Sequence, residues 1–145
     1  SHVIPALLRR FHEAKINDES AVVAWGSGKP KREFLYVDDM AKASLFVMNM
    51  VTKDYKKSQS NIAMSHINIG SGSDLTIREL TEMVAACVGY EGEIVWDTSK
   101  PDGAPRKLLN VGKIKDLGWS PKTNLEEGLK RTYIWFLENI NNFRS

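Results

Sequence analysis

The sequence of this 145-residue chain predicts an α/β fold that has a packed core and needs no disulfide bonds. Short segments rich in β-branched residues alternate with longer segments whose apolar residues recur at helical spacing. Hydrophobic residues make up 42% of the sequence, which is enough to build a packed core at this length. Cys87 is the only cysteine, so the fold does not depend on disulfide bonds.

The first third of the sequence predicts two helices and two strands. A helix over 5–14 has a proline in its first turn and sets two leucines and a phenylalanine on one face. Strands are predicted over 21–25, ahead of a glycine-rich turn, and over 32–37, where successive side chains alternate between faces. Asp38 and Asp39 are expected to cap the next helix, because carboxylates favour helix N-termini.

The middle of the chain predicts a loop, a strand and a capped helix. Residues 52–61 are polar and lack periodicity, which is typical of a surface loop. Residues 66–69 are predicted to form a strand that leads into a glycine-rich turn. Thr76 and Glu79 have the spacing of a capping box, and Gly89 is expected to end the helix that they begin.

The last third predicts a strand, a loop and two helices. A short strand over 93–96 is followed by a loop over 97–106 that contains two prolines. A short helix is expected over 112–117, ahead of a glycine. Thr123 and Glu126 form a second capping box, which is expected to begin a final amphipathic helix.

Charge and composition exclude several classes of function. The 20 basic and 18 acidic residues give a net charge of +2 and form no blocks, which argues against nucleic-acid or anionic-membrane partners. The sequence contains no membrane-length apolar run and no export signal, so a cytoplasmic location is expected. Its three histidines are far apart and its cysteine has no second cysteine, so no metal site is expected.

The glycine-rich turn over 70–72 is a candidate phosphate site, because such a turn can present N–H groups to an anion. The dinucleotide fingerprint, however, requires glycine where Leu75 stands. A purely structural turn between a strand and a helix is the favoured interpretation.

The stretch over 25–39 is a better candidate for nucleotide binding. Trp25 can pack on a base or ribose, a flexible glycine turn follows it, and the guanidinium of Arg32 suits a diphosphate. A β-hairpin with surface charge explains the same residues, because exposed arginines are common on strands. Residue chemistry alone leaves the two interpretations open.

Recognisable motifs are distributed along the whole chain: 2–5 (HVIP), 7–10 (LLRR), 25–28 (WGSG), 32–34 (REF), 37–39 (VDD), 68–72 (NIGSG), 99–103 (SKPDG), 105–107 (PRK) and 135–139 (WFLEN). Together they resemble the extended short-chain dehydrogenases/reductases that act on nucleotide sugars, and among them the GDP-L-fucose synthase family. The arginine-aromatic and NIGSG motifs occur throughout this class of enzyme. The first segment and the loop over 99–107 point to the narrower family.

The resemblance implies an NADPH-dependent enzyme that epimerises C3 and C5 of GDP-4-keto-6-deoxy-D-mannose and then reduces its ketone to give GDP-L-fucose. It implies that His2 is an epimerisation acid/base and also contacts the NADP cofactor. The partner cysteine of the family has no match at Cys87. Contacts to the nucleotide or the sugar are implied for five further residues: Arg10, Trp25, Arg32, Asp102 and Lys107.

The same resemblance implies that residues 1–145 are the C-terminal substrate-binding portion, with the last elements of a Rossmann-like sheet. The NADP-binding loop and the reductive Ser, Tyr and Lys of the family are expected before Ser1, so this portion alone should be inactive. A homodimer is expected for the full-length enzyme. Two alternatives remain: another nucleotide-sugar epimerase or dehydratase, and a non-catalytic nucleotide-binding module that uses residues 70–76 as its phosphate site.

Overall fold

A computed structural model describes residues 2–50 and 66–140, and the predicted loop over 52–61 lies outside these residues. The helices of the described part are α1 (Val3–Ile16), α2 (Val37–Met48), α3 (Ile77–Val88), α4 (Gly112–Asp116) and α5 (Leu125–Asn139). Its strands are β1 (Ala21–Trp25), β2 (Lys31–Glu33), β3 (Asp74–Thr76), β4 (Glu93–Asp97) and β5 (Arg106–Lys107). The α/β prediction is therefore confirmed.

The chain divides into two compact units, each assembled from separate stretches of sequence. The first unit consists of Ser1–Arg32, Leu75–Arg106 and Glu126–Ser145. The second unit consists of Glu33–Asp74 and Lys107–Leu125. The chain passes from one unit to the other at four points. Three of them fall within the short strands β2, β3 and β5, and the fourth follows Leu125, the first residue of α5. The three strands pair in the order β3-β2-β5.

The first unit is built on a parallel strand pair. Strands β1 and β4 pair from Ala21 with Glu93 to Trp25 with Asp97. Helices α1 and α3 pack against each other, and α1 also contacts β1. Large side chains that are at most 2% exposed form the core of this unit: Leu8, Phe11, Val22, Leu80, Val84 and Val88.

Helix α3 begins and ends as its sequence predicts. The Thr76 hydroxyl accepts a hydrogen bond from the Glu79 N–H, and the Glu79 side chain accepts one from the Thr76 N–H, which completes the capping box. At the other end Gly89 has a φ of 73°, the left-handed conformation that glycine adopts without steric cost.

A small apolar cluster holds the second unit together. Ala43, Val111 and Ile114 are buried in it. Ile67 and Ile69 pack against this cluster, but residues 66–69 form no strand, so that prediction is wrong. The alternation of apolar residues there serves side-chain packing, and the Asn68 side chain donates a hydrogen bond to the Asn110 carbonyl at 3.0 Å.

The predicted cap of α2 is wrong. Helix α2 begins at Val37, so Asp39 lies within its first turn, and the carboxylate of Asp39 binds Lys122 and Thr123 instead of capping the helix. The Thr123 side chain also hydrogen-bonds to Asp39. Helix α5 begins at Leu125, within one residue of the start that the second capping box predicts. The predicted strand over 32–37 is correspondingly short, because its second half leads into α2.

Asp39 is the buried carboxylate of the second unit, at 1% exposure. Burial is the largest single influence and raises the pKa of Asp39. Hydrogen bonds from the Thr123 and Lys122 N–H groups and from the Thr123 hydroxyl, together with the charge of Lys42, outweigh burial and lower the pKa. The two N–H bonds measure 2.7 and 3.0 Å. This carboxylate therefore stabilises the fold in its ionised form.

Replacing Asp39 by Asn is expected to reduce the free energy of unfolding at pH 7 by about 1 to 3 kcal/mol, because two partly buried N–H groups lose their charged acceptor. Because the pKa of Asp39 is lower in the folded protein than in the unfolded chain, its carboxylate stabilises the fold fully only above the unfolded pKa of about 3.9. This stabilisation is lost as the pH falls through the folded pKa. Urea denaturation between pH 7 and pH 2 should show the difference from wild type shrinking below about pH 4. A stability difference between wild type and Asp39→Asn that does not change with pH would contradict a stabilising role for the ionised carboxylate. Asp38→Asn is the control, because Asp38 is the exposed neighbour.

None of the helices within residues 2–50 and 66–140 has both the length and the apolar character needed to cross a membrane.

Candidate nucleotide site

The candidate site begins at the carboxyl end of β1, where Trp25 is 74% exposed. Only a glycine-rich turn separates this indole from β2, which carries Arg32. The Lys100 ammonium lies 5.6 Å from the centre of the Trp25 ring, so a cation already occupies one side of this aromatic surface. The exposed ring and the arginine both belong to the first unit.

The turn between β1 and β2 is held in place by its neighbours. Gly26 and Gly28 have φ angles of 84° and 75°, which favour glycine. The Gly26 N–H donates to the Asp97 carbonyl at 2.9 Å. Gly28 packs so closely on Trp96 that a Cβ there would lie 2.8 Å from the indole ring. The two glycines therefore let the turn adopt a compact shape that a larger residue would disturb.

Asp102 reaches this turn from the loop that follows β4. Its Oδ1 accepts a hydrogen bond from the Ser27 N–H at 2.8 Å, and its Oδ2 accepts one from the Ser27 hydroxyl at 2.6 Å. The hydroxyl and backbone bonds from Ser27 lower the pKa of Asp102. The structure thus brings Asp102 to the turn beside Trp25.

Arg32 is tied to the same loop. Its Nη1 donates to the carbonyls of Lys31 and Ala104, both at 2.7 Å. Gly103 allows this approach, because a Cβ there would lie 3.0 Å from Arg32 Nη2. The loop between β4 and β5 therefore joins Trp25, Arg32 and Asp102 into one cluster.

Arg10 does not join that cluster through its own hydrogen bonds. Its guanidinium binds both carboxylate oxygens of Glu19, at 2.6 and 3.1 Å. The hydrogen bond to Glu19 raises the pKa of Arg10, and the same bond lowers the pKa of Glu19. A phosphate at Arg10 would have to compete with this carboxylate.

His2 and Lys107 are both exposed. The His2 carbonyl accepts a bond from the Ala6 N–H at 3.2 Å, while the imidazole makes no capping bond at the start of α1. Lys107 lies on β5 and belongs to the second unit, whereas the other predicted site residues belong to the first. Their predicted roles in substrate or cofactor binding stay predictions.

The alternative phosphate site over 70–72 is filled by the protein itself. The Gly72 N–H donates to Glu33 Oε1 at 2.6 Å, and the Ser71 hydroxyl donates to the same oxygen at 3.3 Å. The other oxygen of Glu33 accepts from the Leu109 N–H at 2.9 Å. Because a carboxylate of the chain occupies the position that an anion would take, this turn is better explained as structural.

Cys87 and the histidines offer no competing chemical site among the described residues. Partial burial is the main cause that raises the pKa of the Cys87 thiol, which disfavours a reactive thiolate. Within residues 2–50 and 66–140, no group of three or more His, Cys, Asp or Glu residues is arranged to hold a metal ion.

Arg78 is the site residue that sequence reasoning missed. Its guanidinium lies 4.5 Å from the centre of the Trp96 ring and donates to the Ser27 carbonyl at 3.0 Å. One feature of the sequence could have identified it. Arg78 lies in the first turn of α3, where the helix dipole disfavours a positive charge, so an arginine there is unusual.

Known proteins resemble this chain in sequence and in structure. The model of the NAD dependent epimerase/dehydratase family matches residues 1–70. GDP-L-fucose synthase of Escherichia coli (strain K12) is 56% identical over 144 residues, which are 99% of this chain and 44% of that protein. The chain thus spans less than half the length of this curated relative.

Two solved structures extend the comparison. A GDP-6-OMe-4-keto-L-xylo-heptose reductase from C. jejuni superposes with a TM-score of 0.84 at 36% identity, covering 96% of this chain and 48% of that one. A GDP-L-fucose synthetase from Naegleria fowleri bound to NADP superposes with a TM-score of 0.82 at 28% identity, covering 100% of this chain and 43% of that one.

The α/β fold of this chain is the fold of the C-terminal part of the extended short-chain dehydrogenases/reductases that act on GDP-sugars. Within that class, the chain is a homologue of the GDP-L-fucose synthases. The resemblance found in its motifs is confirmed.

Proposed function

We propose that this chain is the substrate-binding portion of an NADPH-dependent enzyme that converts GDP-4-keto-6-deoxy-D-mannose to GDP-L-fucose. The observation that carries the proposal is the cluster of Trp25, Arg32 and Asp102, joined by the loop between β4 and β5. Sequence identity with GDP-L-fucose synthases over nearly the whole chain supports it.

The nucleotide end of the substrate is assigned to this cluster. The exposed Trp25 ring provides an apolar face on which a purine or ribose can stack. Guanidinium groups bind phosphate through paired charged hydrogen bonds, so Arg32 and Arg10 are assigned to the diphosphate. Lys107 is assigned to the substrate on the family resemblance alone. In this assignment, phosphate binding replaces the contact between Arg10 and Glu19.

The sugar end is assigned to His2. A hydrogen next to a ketone is acidic because the resulting carbanion is delocalised onto the carbonyl oxygen, and inversion needs a base on one face and an acid on the other. The exposed imidazole of His2 can exchange a proton with substrate without first breaking a capping bond. We assign it one of these two roles, with the second group supplied from outside the 145 residues.

The cofactor is assigned mainly to residues outside this chain. NADPH supplies the hydride for reduction of the ketone when it is bound. The turn over 70–72 does not fit its pyrophosphate, because Glu33 occupies the Gly72 N–H and a Cβ at Gly72 would lie 2.8 Å from Val111. His2 is the cofactor contact that we assign within the chain. A homodimer in the cytoplasm completes the proposal for the full-length enzyme.

Competition among nucleotides tests the proposal in the complete enzyme that contains this chain. GDP is expected to displace a bound GDP-sugar more effectively than UDP or dTDP. The Arg32→Ala variant should weaken GDP binding about 10- to 150-fold, because charged hydrogen bonds contribute about 1.5 to 3 kcal/mol. Isothermal titration calorimetry measures both effects.

Arg9→Ala is the matched control, because Arg9 is also an arginine but makes only an exposed bond to Glu13 in the next turn of α1. It should leave GDP affinity unchanged. Equal displacement by the three nucleotides would argue against guanine specificity. An Arg32→Ala protein with normal GDP affinity would remove the main support for the proposed site.

A further inference from the structure

We propose that Asp102 and Arg78 are positioning residues that orient Trp25 for nucleotide binding. Both act through hydrogen bonds to Ser27, Asp102 to its N–H and hydroxyl and Arg78 to its carbonyl. This inference rests on the proposed function, because it assigns Trp25 to the nucleotide. It also gives Asp102 a role other than the direct substrate contact that the family resemblance implies.

Asp102 commits both of its carboxylate oxygens to Ser27. One accepts the backbone N–H at 2.8 Å and the other accepts the hydroxyl at 2.6 Å, across 75 residues of sequence. The carboxylate also lies against the backbone of the turn, since a Cβ on Gly26 would be 2.5 Å from Oδ1. Asp102 is therefore placed to hold the turn rather than to face a ligand.

Arg78 binds the third polar group of Ser27, its carbonyl. Its guanidinium donates to the Ser27 carbonyl at 3.0 Å, and its backbone N–H donates to the Gly28 carbonyl at 2.9 Å. Trp96 packs on the guanidinium at 4.5 Å, which fixes the orientation of the arginine. The N–H, the hydroxyl and the carbonyl of Ser27 are thus all held by residues from distant parts of the chain.

The held turn begins directly after Trp25. A tryptophan that is 74% exposed has few side-chain contacts to fix it, so its orientation depends on the backbone on either side, which is strand β1 before it and the turn after it. The loop that carries Asp102 also binds Arg32 through the Ala104 carbonyl. Loosening Ser27 would therefore let Trp25 move independently of the arginine assigned to the diphosphate.

A double-mutant cycle between Asp102 and Trp25 tests the positioning role in the complete enzyme, with GDP binding measured by calorimetry. Asp102→Ala and Ser27→Ala are each expected to weaken GDP binding about threefold to tenfold. In a Trp25→Ala background, Asp102→Ala should weaken it less than twofold, because the group that it positions is gone. If Asp102→Ala still weakened GDP binding threefold to tenfold in the Trp25→Ala background, Asp102 would contact the nucleotide directly and the inference would be overturned.

Ser99→Ala is the matched control, because its hydroxyl also donates to an aspartate, Asp97, but only two residues away. It should leave GDP affinity unchanged. A loss equal to that of Ser27→Ala would mean that any disturbance of this loop has the same effect, and would overturn the specific role of Asp102.

Amide hydrogen exchange without nucleotide separates this inference from the proposed function. Asp102→Ala and Arg78→Lys should each accelerate exchange in the segment over 26–29, since Lys keeps the charge of Arg78 but loses its planar fork. Unchanged exchange in both variants would overturn the grip on Ser27, whatever the protein binds. If the unmodified enzyme failed to bind GDP, the proposed function would fall, while the exchange result would still decide whether Asp102 and Arg78 hold the turn.

Discussion

Replacing His2 by Gln in the complete enzyme is expected to slow solvent-deuterium incorporation at C3 and C5 of the substrate about 10²- to 10⁴-fold. This is the usual contribution of a side chain that transfers a proton in the transition state. Glutamine has a similar length and can hydrogen-bond, but it cannot exchange a proton near neutral pH. Mass spectrometry of the sugar after incubation in deuterated water measures the incorporation directly.

His66→Gln provides the comparison, because His66 is also exposed but lies in the second unit of the chain. It should incorporate deuterium at the wild-type rate. GDP affinity should change little in either variant, since we assign the nucleotide to other residues. Normal incorporation in the His2→Gln enzyme would remove His2 from the proposed epimerisation.

Replacing Phe11 by Ala is expected to lower the free energy of unfolding by about 3 to 5 kcal/mol. Phe11 is completely buried, and its ring centre lies 5.3 Å from that of Tyr90. The deletion removes apolar area from the core and leaves a cavity that close-packed neighbours cannot fill without strain. Urea denaturation should show a lower midpoint with an unchanged slope.

Ile16→Ala is the corresponding surface change on the same helix, because Ile16 is 59% exposed. It should alter stability by less than about 0.5 kcal/mol. A comparable loss in the two variants would show that the apolar content of α1, rather than its buried face, determines stability.

Local chemistry made several elements predictable from the sequence. The Thr76 capping box is contained in four residues, and the φ of Gly89 follows from the absence of a side chain. Strand β1 was predicted with its observed bounds because its β-branched run is short and ends at a glycine. Each of these signals acts between neighbours in the chain.

The predictions were wrong where a side chain expected to interact with its sequence neighbours instead interacts with residues far along the chain. Asp39 has the chemistry of a helix cap, but its carboxylate binds N–H groups 83 and 84 residues away. Nothing in the sequence near Asp39 records that partner. The strand predicted over 66–69 failed similarly, because its alternating isoleucines pack on Val111 and Ile114.

The candidate site shows the same division. Trp25 and Arg32 could be selected from sequence because an aromatic and a guanidinium beside a glycine turn suit a nucleotide. The grip on Ser27 could not, because its two holding side chains lie 51 and 75 residues further along the chain. Residue type identified the groups that we assign to the ligand, whereas only the fold reveals the groups that orient them.

The pairing of Ala21 with Glu93 also determines when this fold can form on the ribosome. After β1 has been synthesised, roughly 70 more residues must be added before its parallel partner exists, which takes about 4 to 14 s at 5 to 20 residues per second. During that interval β1 lacks the strand that pairs with it, and α1 lacks its contacts with α3. Nascent chains of this protein are therefore expected to depend on chaperone protection more than a chain with mainly local contacts.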